Sequence, residues 1–165
     1  MKTKIIISIL IITIIAVSGC THSNNNIDKI NQLSPTITEH ITNGDEYYNK
    51  SATYLNSKNS KSSINESEKA ITEYNSARTS AAEALNYAEN ENDSIYINYL
   101  KLVVLEIDSK LNATTELQEA AKLFKNNKIY YGNKKLELIN NYMKNSKKYI
   151  EQRNNLTKQK QNKFQ

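Results

Sequence analysis

Helix breakers are nearly absent from this sequence. Of its 165 residues one is proline and three are glycine, and beyond Thr21 only Pro35, Gly44 and Gly132 remain. Proline removes a backbone donor and glycine raises the entropic cost of order, so a chain this poor in both is biased toward long helices. Apolar residues recur at helical spacing along it. Ser34 followed by Pro35 reads as an N-cap and first helical residue. Ile37, Ile41, Tyr48 and Leu55 then mark one stripe ending near Ser57, with Asn43-Gly44 as a weak point. A loop over 56–63 leads to a second helix of about 63–90, opened by a Ser63/Glu66 capping box. Its face carries Ile64, Ile71, Tyr74, Ala81, Leu85 and Ala88, widened by Ala70, Ala77 and Ala84. Arg78 falls on that seam and is expected to snorkel or pair with a carboxylate.

Asn90 to Asn92 break the pattern, and Asp93 or Ser94 caps a third helix running to about Lys125. It is the most apolar element of the body, which predicts a central place. Leu100, Val103, Ile107 and Leu111 are expected inside, and Lys110 on the surface. After Asn126-Asn127 a fourth helix carries Ile129, Leu136, Ile139, Met143, Ile150 and Leu156, with Gly132 able to fray its first turn. In each doubled tyrosine, Tyr47-Tyr48 and Tyr130-Tyr131, one ring is expected inward and the other near the surface. Short breaks between long helices make neighbours antiparallel. The expectation is an all-α, up-and-down antiparallel bundle of three to four long helices over 34–157. The alternative is a solenoid of helical hairpins like tetratricopeptide repeats, whose small-and-aromatic pattern Ala70, Tyr74, Ala77, Ala81 and Leu85 resemble. Such a repeat is about 34 residues long, which is the length of a single helix here. The bundle is therefore the preferred reading.

The charge is uneven. The chain is +5 overall, yet residues 27–121 are net −7 and residues 122–165 net +10. A basic carboxyl-terminal element is thus joined to an acidic body. It either packs on the acidic helices or presents itself to anionic lipid or polymer. No nucleic-acid-binding motif accompanies it.

The amino terminus states an address. Lys2 and Lys4 precede Ile5 to Val17, an apolar run broken only by Ser8 and Thr13. A helix of that length rises about 20 Å, short of the roughly 30 Å hydrocarbon core, and the layout is that of an export signal. Val17-Ser18-Gly19-Cys20 closes it and resembles the lipobox of prokaryotic lipoproteins. That resemblance implies a signal peptide over 1–19, cleavage between Gly19 and Cys20, and a thioether-linked lipid on Cys20, the only cysteine. Residues 20–33 would then be the lipidated Cys and a polar tether, and 158–165 a disordered basic tail. The helical part is similar in style to the helical ectodomains of archaeal lipoproteins. The location implied is the extracytoplasmic face of the cell membrane.

Chemistry-bearing motifs are missing. There are two histidines, His22 and His40, and no glycine-rich phosphate loop, HExxH, GxSxG or CxxC. The tight acid clusters lie one or two residues apart, which puts them on different helix faces. Five glycosylation triplets begin at Asn49, Asn65, Asn92, Asn112 and Asn155, close to what the composition would yield by chance. The expectation is therefore not an enzyme, with no metal and no cofactor. It is a membrane-anchored scaffold that binds another envelope protein. The alternatives are an electrostatic binder of anionic lipid or envelope polymer, and an accessory subunit of a transporter or enzyme complex. For the electrostatic reading the membrane-facing residues would be Lys147, Lys148, Arg153, Lys158, Lys160 and Lys163, gathered beside the tether where a fourth helix returns to the start of the first.

Overall fold

The structure, a computed structural model, describes residues 25–160. Four helices fill that span: α1 (Asn25–Asn56), α2 (Ser60–Asn90), α3 (Ser94–Lys125) and α4 (Ile129–Gln159). They run up and down as an all-α antiparallel bundle. Each helix packs on the next, and α3 also meets α1, so the most apolar helix is the central one. Among the described residues α1 and α4 share no seam, which leaves α4 held by α3 along one side. Helices of about 32 residues make a body roughly 48 Å long. The start of α1, the α2–α3 turn and the end of α4 lie at one end, called here the near end. The α1–α2 and α3–α4 turns lie at the far end.

All three turns are built alike. The residues Lys58, Asn92 and Asn127 have φ of 61°, 54° and 57°. In each turn the left-handed residue donates back to the carbonyl three before it, as Asn127 N does to Phe124 O at 3.0 Å, and the next residue donates five back, as Lys128 N does to Leu123 O at 2.9 Å. This is the Schellman closure, which satisfies carbonyls that a helix end would leave free. Asparagine tolerates the left-handed region better than other non-glycine residues, so two of the three turns carry little strain. The following helices start on Asn59, whose side chain accepts from Ser62 N, and on Asp93, which accepts from Ile95 N and Tyr96 N.

Three expectations are corrected at the helix ends. Helix α1 begins at Asn25 and runs through Pro35 rather than starting there. An interior proline costs about 3 kcal/mol, but Ile27 and Ile30 extend the stripe of Ile37 and Ile41 and pack on the core, offsetting that loss. Ser34 does not cap; its hydroxyl donates to Ile30 O at 2.9 Å. The expected tether thus loses residues 25–33 to the helix, and residues 20–24 lie outside the described ones. At the other terminus Lys158 and Gln159 belong to α4 instead of a disordered tail. Helix α2 starts at Ser60, capped by Asn59, and no Ser63/Glu66 box forms. Ser63 is buried: Ser51 Oγ sits 2.9 Å from Ser63 O and 2.7 Å from Ser67 Oγ, so these hydroxyls satisfy one another inside the α1–α2 seam.

The seam explains the glycines. The buried side of α2 is Ser63, Ser67, Ala70, Tyr74, Ala77, Ala81, Ala84 and Ala88, in steps of four and three, with Glu66 buried at its edge and paired with Lys69. Ile71 and Leu85 flank it rather than fill it. Small side chains let neighbouring helices approach closely, and the one large residue among them needs a recess. Gly44 provides it: a Cβ there would stand 2.5 Å from Tyr74 Cε1. Gly132 does the same for Phe124, at 2.5 Å from its Cε1, so α4 does not fray at this point. Both glycines are close-approach positions inside continuous helices. Leu100, Val103 and Ile107 are buried as expected, while Leu111 is half-buried. A second cluster, Ala113, Leu117, Ala120 and Ile139, joins α3 to α4 and receives Tyr48, Ala52 and Leu55 from α1.

Every contact described lies within residues 25–160, so a chain starting at Thr21 keeps them all. In such a chain Gly44→Ala should lower stability by about 1–3 kcal/mol through overpacking against Tyr74. Ile107→Ala should cost about 2–5 kcal/mol as a large-to-small core change. Denaturant midpoints measure both, and an unchanged midpoint for Gly44→Ala would show that the ring can move aside freely.

Candidate functional site

The densest polar chemistry in the molecule runs inward from the half-exposed Asp45 to the buried Lys110 and Glu106. Lys110, expected on the surface, is only 5% exposed, and Glu106, one turn before it on α3, is 2% exposed. Lys110 Nζ donates to Asp45 Oδ2 of α1 at 2.7 Å and lies 3.2 Å from Glu106 Oε1. On the other side of Glu106, Oε2 meets Arg153 Nη1 of α4 at 2.9 Å. That contact is an ion pair without an aligned hydrogen bond. Tyr74 of α2 completes the chain by donating its hydroxyl to Asp45 Oδ1 at 2.6 Å. The relay Tyr74–Asp45–Lys110–Glu106–Arg153 therefore takes a member from each of the four helices, and its two cations balance its two anions.

Tyrosines close around this relay. Burial, with the Asp45 carboxylate beside it, pushes the Tyr48 phenol up to about 12. Tyr74 is raised further by burial and by Asp45, which repels its phenolate and accepts its hydrogen bond. Tyr99 lies with its ring centroid 5.8 Å from the Arg153 guanidinium. Burial raises its phenol, Arg153 pulls it back, and Glu106 raises it again. Each carboxylate is already satisfied by a cation or a hydroxyl. The arrangement holds the helices in register, with no nucleophile set beside a free base.

The residues expected to face a membrane are dispersed. Gly19, Cys20 and Lys163 lie outside the described residues. Arg153 is corrected: it turns inward to Glu106 and Tyr99 instead of outward. Lys158 and Lys160 are exposed at the near end, where they were expected. Lys147 and Lys148 are exposed as well, but lie about 17 Å up the helix from Gln159. Arg78 pairs with Asp108 at 2.6 Å, the carboxylate partner its seam position called for. His40 Nδ1 sits 2.7 Å from Glu73 Oε2, tying α1 to α2. All five glycosylation-triplet asparagines are exposed. The doubled tyrosines depart from expectation: Tyr47 and Tyr48 are both half-buried, while Tyr130 and Tyr131 are both exposed, at 66% and 62%. The cause is the single seam of α4, whose buried residues are Gly132, Ile139 and Ser146.

Among the described residues no group of three or more His, Cys, Asp or Glu could hold a metal ion. No helix among them is long and apolar enough to cross a membrane. Comparison with protein-family models, with curated proteins and with solved structures returned no match.

Removing one member of a buried pair strands its partner. Lys110→Met should therefore cost about 3–5 kcal/mol, and Lys110→Met with Glu106→Gln should cost less than the two single changes added together. Chemical denaturation of the four species closes the cycle, and strict additivity would show the pair to be uncoupled. The Tyr48 phenol gives a pH dependence of definite sign. Its pKa is raised in the folded state, so its contribution is fully present below pH 10 and is lost as pH climbs from 10 toward about 12. Circular dichroism against pH should show helix loss in that window, and Tyr48→Phe should make the loss shallower.

Proposed function

We propose that this chain is a membrane-anchored lipoprotein whose helical body is a non-catalytic scaffold for another envelope protein. The anchoring half of this reading rests on Val17-Ser18-Gly19-Cys20 after a short apolar run. The scaffold half is carried by one observation, the one-sided attachment of α4. The relay ties this helix to the bundle through Arg153, yet its outward face is uncovered and includes the exposed Leu138. A rigid body with one open helix is suited to receiving a partner helix or groove.

A second reading, binding of anionic lipid or envelope polymer through the basic helix, is favoured by how few of its charges are neutralised. Lys135 pairs with Glu116 and Arg153 with Glu106. Lys144, Lys147, Lys148, Lys158 and Lys160 are exposed, and none of them has an ion pair within the described residues. Complementary packing on acidic neighbours therefore accounts for little of the helix's charge. The two readings separate by salt: polymer or lipid binding should weaken steeply from low to physiological ionic strength, and docking on an apolar face should not.

Anchoring has its own test. Cys20→Ser should leave an unprocessed precursor that takes up no labelled lipid in metabolic labelling, because a hydroxyl cannot supply the thioether. Equal label in the Ser variant would overturn the lipobox reading.

A further inference from the structure

We propose that the far end of the bundle is a docking surface for an anionic lipid bilayer. The sequence around both far-end turns is one-signed: residues 56–65 and 120–136 contain no Asp or Glu. Lys58, Lys61, Lys125, Lys128 and Lys134 are exposed there, and none has an ion pair within the described residues. The remaining lysines within about two turns of that end, Lys50, Lys122 and Lys135, are taken up by Glu46, Glu119 and Glu116. The near end is different in kind, with Asp28, Glu89, Glu91 and Asp93 set among its cations. Charge is thus polarised along the axis, and the last turns of the far end bear only positive charge, the acids behind them, Glu46, Glu66, Glu116 and Glu119, each being paired with a lysine.

Apolar exposure sits at the same place. Ile129 is 54% exposed and leads directly into Tyr130 and Tyr131, with Tyr54 also exposed on the last turn of α1. This combination selects a bilayer over a polar polymer. An aliphatic side chain such as Ile129 gains nothing from a hydrated polyanion but is accommodated at the headgroup–acyl boundary. Tyrosine rings are favoured at that same depth. Tyr130 and Tyr131 stand edge to face at 80°, and Lys134 lies 5.6 Å from the Tyr130 centroid, so the pair forms no flat platform for a sugar. Lysine stems can lie along the apolar patch while their ammonium groups reach phosphates. Bound this way, the bundle stands with its amino-terminal end pointing away from that bilayer, so a lipid on Cys20 would be held by a second, facing membrane. The inference does not rest on lipid at Cys20, which the test omits.

The test uses the chain starting at Thr21 with vesicles of pure phosphatidylcholine and of phosphatidylcholine mixed with phosphatidylglycerol. Sedimentation with the mixed vesicles only, released by high salt, is expected. A lysine near anionic headgroups is worth about fivefold in binding, so Lys125→Glu with Lys128→Glu should lower partitioning about tenfold or more. Ile129→Ser with Tyr131→Ser should also weaken it while leaving the salt dependence in place. Lys147→Glu with Lys148→Glu, mid-helix, should stay within about twofold. If a far-end variant melts early, Lys58→Glu with Lys61→Glu on the other turn of the same end takes its place and should weaken binding likewise. An equal loss from the mid-helix pair would assign the binding to the face of α4 and overturn the proposal. Retention on immobilised polygalacturonate without vesicle binding would overturn it in favour of a polymer.

Discussion

Burying a lysine is tolerable only if the fold brings carboxylates to it, and Lys110 shows how much of this bundle answers that requirement. Its ammonium sits between Asp45 and Glu106, and Glu106 in turn needs a second cation on its far oxygen, which Arg153 supplies. A missing partner leaves a charge in a poor dielectric, whereas a merely loose apolar contact costs far less. Apolar stripes alone would tolerate helices sliding by a turn. The relay does not, because a slip of about 5.4 Å would part every pair that joins two helices. The alanine-rich face of α2 and the recess at Gly44 then read as consequences: they set the spacing at which Tyr74 can reach Asp45.

Much of the architecture was legible in the sequence because the relevant signals are local. Few breakers meant long helices, Asp93 capped the third helix as a side-chain acceptor should, and Asn127 marked a turn that needs the left-handed region. What was not legible depends on a distant element. Glu106 and Lys110 are spaced like an ordinary solvent-exposed pair one turn apart, and only Asp45, sixty-five positions away from Lys110, explains their burial. Pro35 looked like a start because proline usually is one; the packing of Ile27 and Ile30 on the core overrode it.

The candidate surface residues illustrate the same division. Exposure of Lys147, Lys148, Lys158 and Lys160 follows from α4's own pattern, and it was readable. Arg153 falls seven residues beyond Ser146, on the row of Gly132 and Ile139 that faces α3, so periodicity could have flagged it as inward. Its positive charge obscured that signal. Nothing local distinguishes Tyr130-Tyr131 from Tyr47-Tyr48. The difference arises because α1 is gripped by α2 along its length and approached by α3, while α4 packs along its length on α3 alone.

Packing mainly between consecutive helices also sets an order of assembly. As the chain emerges from its amino terminus, α1 and α2 can pair fully before α3 exists, and α3 can join them before α4 is made. At that three-helix stage Lys110 already has Asp45 and Glu106, but Glu106 lacks Arg153. The growing domain therefore carries a half-satisfied carboxylate until its last helix arrives, and that helix is recruited by charge as well as by apolar fit. Most contacts that reward folding close over one helical hairpin, which keeps the entropic cost of each step low. A chain cut short within α4 would be compact yet electrostatically incomplete, and quality control could distinguish it from the finished protein.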